Sequence, residues 1–276
     1  MRSPLASLAR DDVFELAAVL SGVARVRHRF LPFGSAGPAP TRSIPSGRER
    51  FGRERTTALA RAELYNFLAA SFAEPPSAAY LDGLQQSGAI PLLIAKGFGG
   101  EDFRLWAEAL GAHRIGQDLP QAYSQVFIRP GPQHAPLLAT AYLPTGWSNE
   151  GAEAAALSHG PAAEAVEAAY VNAGLVVGGD GPIAPQHLAV ELQFMHHCAA
   201  CEAAAWGNED SSHASAWQDR QRDFLARHLQ QWSVAFARRL ALAGAHPYYR
   251  ALADLTVRFL EADSLELTPS DLLSVR

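Results

Sequence analysis

Through most of the chain, apolar residues recur with the period of a helix. Beyond Arg55, the positions Leu64, Phe67, Leu68, Ser71 and Phe72 fall at i, i+3, i+4, i+7 and i+8. They form one stripe of a helix that Glu74-Pro75-Pro76 ends. Further helices are expected over about 101–113, 117–128, 161–173, 187–206, 212–242 and 247–263. The longest carries Phe224, Leu225, His228, Leu229, Trp232, Phe236 and Leu240 at core spacing. The 117–128 segment stops at Arg129-Pro130-Gly131-Pro132. From Pro130 to Gly160 the chain is rich in Pro, Gly, Trp and Tyr and reads as ordered loop with a turn or two of helix. A loop of that length inside a compact domain usually has a function. Period-two alternation is scarce and β-branched residues are sparse, so the expected fold class is all-α, a single compact helical bundle.

The N-terminal part reads differently. An amphipathic first segment is followed by LPFGSAGPAPTRSIPSGRERFGRER, whose Pro, Gly, Ser and Arg density marks a linker. Residues 1–52 are therefore expected to be a poorly ordered extension, and 53–276 the helical domain.

Composition narrows the function classes. The chain has 276 residues, 48% of them hydrophobic, ample for a continuous core. A net charge of -5 and a pI near 6.1 leave no global cationic field for nucleic acid or an anionic membrane. Arg42, Arg48, Arg50, Arg53, Arg55 and Arg61 cluster in and after the linker, but Glu49, Glu54 and Glu63 dilute them, which points to a solvated linker. No apolar run approaches the roughly 18 to 20 residues that cross a bilayer, so no transmembrane segment is expected. Asp11, Asp12 and Glu15 interrupt any export-signal core near the start. The location expected is the cytoplasm. Two cysteines, Cys198 and Cys201, cannot build a secreted-type disulfide framework.

The densest chemistry lies in GPIAPQHLAVELQFMHHCAAC, residues 181–201. Cys198-x-x-Cys201 with His187, His196 and His197 offers N and S donors for a metal, yet no second Cys/His pair is available to close a tetrahedral site. On one helix, His187 and Cys201 would stand about 21 Å apart at 1.5 Å per residue and could not share an ion. Buried or half-buried thiols are the competing reading. His187 and Glu191 share a helix face, with Pro185 ahead of them. Such a pair could do acid/base work, form a solvent-facing ion pair or edge a ligand groove. No nucleophile or second carboxylate can be placed beside it from sequence. GFGGED (97–102) and VVGGDGP (176–182) lack the Lys-Ser/Thr of a phosphate loop and read as turns.

Taken together, four stretches resemble the TorD/DmsD-type maturation chaperones of molybdenum-containing oxidoreductases. Arg61-Ala-Glu-Leu-Tyr-Asn-Phe-Leu-Ala-Ala-Ser-Phe72 followed by Pro75-Pro76 is similar to the family's first core helix. Tyr123-Ser-Gln-Val-Phe127, then Pro130-Gly-Pro132, Ala135-Pro136 and Tyr142-Leu143, resembles its helix-to-loop segment. Tyr170, Gly174-Leu175 and His187 through Glu191-Leu-Gln-Phe-Met195 resemble its signature helix. Phe224-Leu-Ala-Arg-His-Leu229, Trp232 and Tyr249-Arg-Ala-Leu-Ala253 resemble its closing helices. The family signature reads acid, Pro, any residue, Asp, His. Here it becomes Ile183-Ala184-Pro185-Gln186-His187, which keeps only the histidine. Gln186 removes a negative charge that could meet an arginine-rich peptide, although an amide can still accept from a guanidinium.

The resemblance implies an all-helical cytoplasmic chaperone with no catalytic role and no cofactor of its own, monomeric or dimeric. Its partner would be the apo catalytic subunit of a molybdenum oxidoreductase, bound through its mature body or through its twin-arginine signal peptide, two alternatives that Gln186 in place of the family's aspartate leaves open. Its peptide-binding surface would be edged by Pro185, Gln186, His187 and Glu191, with Tyr142, Tyr123 and Phe127 from the loop segment. A metal- or redox-sensing module built on Cys198 and Cys201, and a small enzyme using His187 and Glu191, are the alternatives.

Overall fold

A computed structural model of the chain describes residues 8–21, 23, 30–32, 48–110, 118–143, 160–178 and 184–268. Helix α1 (Arg10–Leu20) is followed by a short strand β1 (Phe30–Pro32), the long helix α2 (Arg48–Ala73), and the short helices α3 (Ala78–Gln86) and α4 (Ala89–Ala95). Next come α5 (Gly100–Leu110), α6 (Leu119–Tyr123) running into a π turn (Ser124–Ile128), and a 3-10 turn (Ala139–Ala141). Helix α7 (Pro161–Asn172) leads to strand β2 (Leu175–Val177), then α8 (Leu188–Gly207) and α9 (Ser211–Phe224). A second π turn (Leu225–Leu229) joins α9 to α10 (Gln230–Leu242), and α11 (Pro247–Glu266) closes the described chain.

The fold is all-α, with helices where the sequence pattern places them. Three details differ. Helices α3 and α4 fill the stretch between Pro76 and Gly97, where the apolar pattern is too short to show a stripe. The expected 212–242 helix contains a π turn. Finally, β1 and β2 pair antiparallel, Phe30 opposite Val177 and Pro32 opposite Leu175, as a two-stranded ribbon too short for alternation to betray it.

Local chemistry sets the helix ends. Ser77 Oγ accepts from the Tyr80 amide at 3.2 Å, and Asp210 accepts from the His213 amide at 3.0 Å, so each caps the helix that follows. Pro161 and Pro247 occupy first-turn positions, where a missing N–H costs nothing. Gly97 and Gly99 of GFGGED lie in a turn, as expected, and Gly100 opens α5. Gly99, at φ +69°, is held so close to α11 that a Cβ would lie 2.6 Å from that of Ala251.

Helices α2 and α8 pack along the most extensive interface of the bundle. Small residues line part of this seam: Ala58 packs with Ala203, and His196 Nδ1 lies 2.9 Å from the carbonyl of Ala62. At its centre is a buried polar cluster. Arg61 of α2 is 3% exposed and donates to Asp263 of α11, to Glu202 of α8 at 2.7 Å and to Gln221 of α9. Tyr65 donates to Asp263, and Gln221 and Gln218 donate to Glu202 at 2.9 and 2.7 Å. Burial alone would lower the Arg61 pKa, but the adjacent carboxylates of Asp263 and Glu202 outweigh it and hold the guanidinium charged.

The expected N-terminal extension is not uniform. Within it, α1 packs on α2 and buries Leu16 and Leu20 completely. Lys96, at the end of α4, binds Asp12 at 2.6 Å and Glu15 at 2.7 Å and so ties α1 to the body. Helix α2 also begins before residue 53, at Arg48. Of the Pro/Gly/Ser-rich stretch read as linker, residues 31–55, Leu31 and Pro32 belong to β1 and 48–55 to α2, while 33–47 lie outside the described residues.

Two stability outcomes follow. Arg61→Ala leaves Asp263 and Glu202 buried without their cation and should cost about 3–5 kcal/mol in urea unfolding. A loss under 1 kcal/mol would show that water reaches the cluster. Leu16→Ala should cost about 2–5 kcal/mol by the same measurement, because α1 is part of the core; an unchanged midpoint would return α1 to the surface.

Candidate functional site

The loop after α6 and the start of α8 form one structure. Ala135 donates to the Val126 carbonyl at 2.7 Å, and Arg239 of α10 donates to the carbonyls of His134 and Pro132 at 3.0 and 3.2 Å. The loop is thereby pinned to its own helix and to α10. Farther on, Leu188 donates to the Leu137 carbonyl at 2.8 Å and Ala139 to the Gln186 carbonyl at 3.1 Å, a short antiparallel bridge between Leu138 and His187. Two segments that the sequence singles out separately are therefore joined edge to edge. The rest of the aromatic loop, 144–159, lies outside the described residues, as do 179–183 ahead of the bridge.

His187 is the N-cap of α8, its Nδ1 accepting from the Ala189 amide at 3.2 Å. It is half-buried. Pro185 does not begin the helix but belongs to the turn before it, where its carbonyl accepts from the Tyr170 hydroxyl at 2.9 Å. Tyr142 stacks on Trp232 of α10, ring centroids 5.6 Å apart and planes 12° from parallel, and its hydroxyl donates to the Pro136 carbonyl at 2.9 Å. Tyr142, Leu143, Pro185 and His187 are all half-buried and together form a partly exposed edge.

The remaining site residues are inside. Gln186 and Glu191 are both 0% exposed, so neither edges the surface as a free acceptor. The backbone around Gln186 is tied into the loop, its carbonyl accepting from Ala139, and Glu191, one turn into α8, faces Trp232 of α10. Glu191 Oε2 accepts from Trp232 Nε1 at 3.3 Å, and Oε1 has no hydrogen-bond partner among the described residues. Burial pushes its carboxyl well above the usual range, only partly countered by the Trp232 bond, so it is the neutral acid that is housed here. An ion pair or acid/base dyad with His187 is not what the geometry builds. Tyr123 and Phe127 are core residues. Tyr123 donates to the Phe72 carbonyl at 2.9 Å, and Phe127 meets Tyr123 and Tyr249 at centroid distances of 5.0 Å each. They hold the loop in place from beneath.

The cysteines show no metal geometry. Cys198 is buried and Cys201 half-buried, with Cys201 Sγ 3.4 Å from His197 Nε2, while His196 turns away to α2. Among the described residues no group of three His, Cys, Asp or Glu side chains could hold a metal ion. Burial raises the pKa of both thiols and keeps them in the unreactive protonated form.

Sequence reasoning missed Trp232 as the partner of Glu191 and Arg61 as a buried hub. For Arg61 a signal existed: it lies three residues before Leu64, on the apolar stripe of α2.

Residues 99–238, just over half of the chain, match the family described as nitrate reductase delta subunit. The chain is 36% identical over 98 residues to the perchlorate reductase assembly chaperone protein of Dechloromonas aromatica (strain RCB), which covers 36% of this chain and 43% of that protein. It is 36% identical over 77 residues to the chaperone protein TorD of Vibrio cholerae serotype O1 (strain El Tor Inaba N16961), 28% of this chain and 34% of that one. The chain thus spans less than half the length of these curated relatives. No solved structure matches it.

The Glu191 environment makes a pH prediction. In the unfolded chain its carboxyl ionises near its ordinary value of 4.5, whereas the folded chain keeps the proton to much higher pH. Between the two, the unfolded state binds fewer protons, so stability falls as pH rises, by about 1.4 kcal/mol per unit from this group alone. Glu191→Gln keeps the shape without the titration. It should match the wild type near pH 4 and exceed it in urea unfolding at pH 8; parallel curves at both pH values would mean that water solvates Glu191.

Proposed function

From its membership of the nitrate reductase delta subunit family, to which this chain belongs alongside the TorD/DmsD-type chaperones, we propose that the protein is an assembly chaperone and not an enzyme. Its client is the catalytic subunit of a molybdenum-containing oxidoreductase. The chaperone binds the apo-subunit in the cytoplasm, keeps it folded loosely enough to accept its cofactor, and holds it back from export until then. One observation carries the reading. Inside the family-matched residues, the loop after α6 and the start of α8 are pinned together into a rigid edge whose aromatic, apolar and imidazole groups stay half-exposed. A pre-formed edge with few charges suits an extended peptide.

Tyr142, Pro185 and His187 are the contact residues of this proposal. Gln186, Glu191, Tyr123 and Phe127 support them from below. With Gln186 and Glu191 both fully buried, the edge suits an apolar stretch of the apo-subunit better than the paired arginines of its signal peptide.

Co-purification of the tagged protein from its own host should bring down a molybdenum oxidoreductase subunit lacking its cofactor. Recovery of the mature, cofactor-loaded enzyme alone would overturn the role. The double change Tyr142→Leu, His187→Ser keeps an apolar side chain at 142 and a capping acceptor at 187. It should weaken that client about tenfold or more in calorimetry, through lost ring contacts and a lost hydrogen bond, with helicity unchanged. Unmoved affinity would put the client contact on another face.

A further inference from the structure

A cleft of ≈ 230 Å³ opens between α1, α2 and α11, three helices that all lie outside the family-matched residues. Leu8, Val13, Ala60, Phe259 and Leu265 make its walls, and the Arg61–Asp263 pair lies at its floor. That floor offers nothing to an ion, because Arg61 is already engaged by Asp263, Glu202 and Gln221. At the rim, Arg10 and Glu266 pair at 3.3 Å with side chains 48% and 35% exposed, and Arg10 also donates to Thr57 Oγ1 at 2.6 Å.

We propose that this cleft is a second client-binding site, one that takes a single neutral apolar side chain, phenylalanine or leucine, from a polypeptide. Three features determine that occupant. Every charge that lines the cleft is already engaged, Arg61 by Asp263 and Glu202 and Arg10 by Glu266, so a charged group would enter without a counter-ion of its own. The volume exceeds the about 150 Å³ that houses a benzene ring in an apolar cavity, so one large side chain fits. The rim presents a donor beside an acceptor, complementary to the C=O and N–H of the peptide group carrying that side chain. The identity of the partner as a polypeptide client rests on the proposed chaperone role.

The test uses the full chain labelled for NMR and blocked pentapeptides Gly-Gly-X-Gly-Gly, with X being Phe, Leu, Ala or Arg, and toluene as a ring without a backbone. The Phe and Leu peptides should give saturable shifts confined to amides of α1, α2 and α11, with affinity about tenfold or more above the Ala peptide, as expected for burying several extra methylene equivalents. Ala262→Phe, which fills the cleft, should abolish these shifts. Ala262→Leu, a smaller filling, should weaken them if the larger change fails to fold by circular dichroism. Glu266→Gln with Arg10→Met should weaken the peptides several-fold and leave toluene unaffected. Shifts elsewhere or none, equal binding of the Arg peptide, or binding retained in folded filled variants would each overturn the site. Toluene binding as tightly as the Phe peptide would overturn the polypeptide occupant. No client is needed for this titration, so its failure leaves the chaperone role standing. A failed co-purification, in turn, leaves the cleft standing.

Discussion

A guanidinium sealed away from water has to be met by acceptors, and that requirement organises this bundle. Arg61 reaches Glu202, Gln221 and Asp263, one from each of α8, α9 and α11. Apolar packing alone tolerates sliding and rotation, since one Leu or Ala replaces another at modest loss. A buried charge does not, because any arrangement that leaves it unmet costs several kcal/mol. The cluster therefore selects one relative placement of four helices from the many that would bury the same apolar area. Tyr65 and Gln218 bond to the carboxylates of Asp263 and Glu202 and complete the shell.

Much of this could be read from the chain before its fold. The apolar stripes of α2, α8 and the α9–α10 rod, and the stops at Pro75-Pro76 and Pro130-Gly131-Pro132, appear where helical period and turn chemistry put them. What periodicity cannot give is the neighbour. It shows that Glu191 shares a face with His187, but not that Trp232, forty-one residues away, covers that face and makes the carboxyl an interior group. For the same reason the sequence pattern groups Arg61 with the linker arginines, although its partners lie 141 to 202 residues on. The ribbon of β1 and β2, three residues a strand, is too short for any alternation to register.

The site residues divide by depth. The partly exposed set, Tyr142, Pro185 and His187, comes from three different backbone contexts, a loop, a turn and a helix cap. They are held in fixed relation because the residues between and beneath them are fully committed: Tyr123 to the Phe72 carbonyl, Tyr170 to the Pro185 carbonyl, Trp232 to Glu191. Rigid presentation lowers the ordering cost when a flexible segment binds. In the proposed role, in which the partner is incompletely folded, such economy counts most, because the partner itself has order to lose.

Along the seam between α8 and the α9–α10 rod, the bonds Glu202–Gln221 and Glu191–Trp232 share a common measure. The two acids stand eleven residues apart on α8, and their partners stand eleven apart on the rod running the other way. Eleven residues is close to three α-helical turns, so both acids fall on one side of α8. The hairpin thus works as a vernier with two marks, which coincide in a single alignment. Sliding by one residue rotates each mark by about 100° and takes both acids from their donors at once. The alignment that closes the charged cluster at one end is the same one that seats Trp232 beneath Tyr142 at the other, so the shape of the exposed edge is calibrated from the far end of the helix.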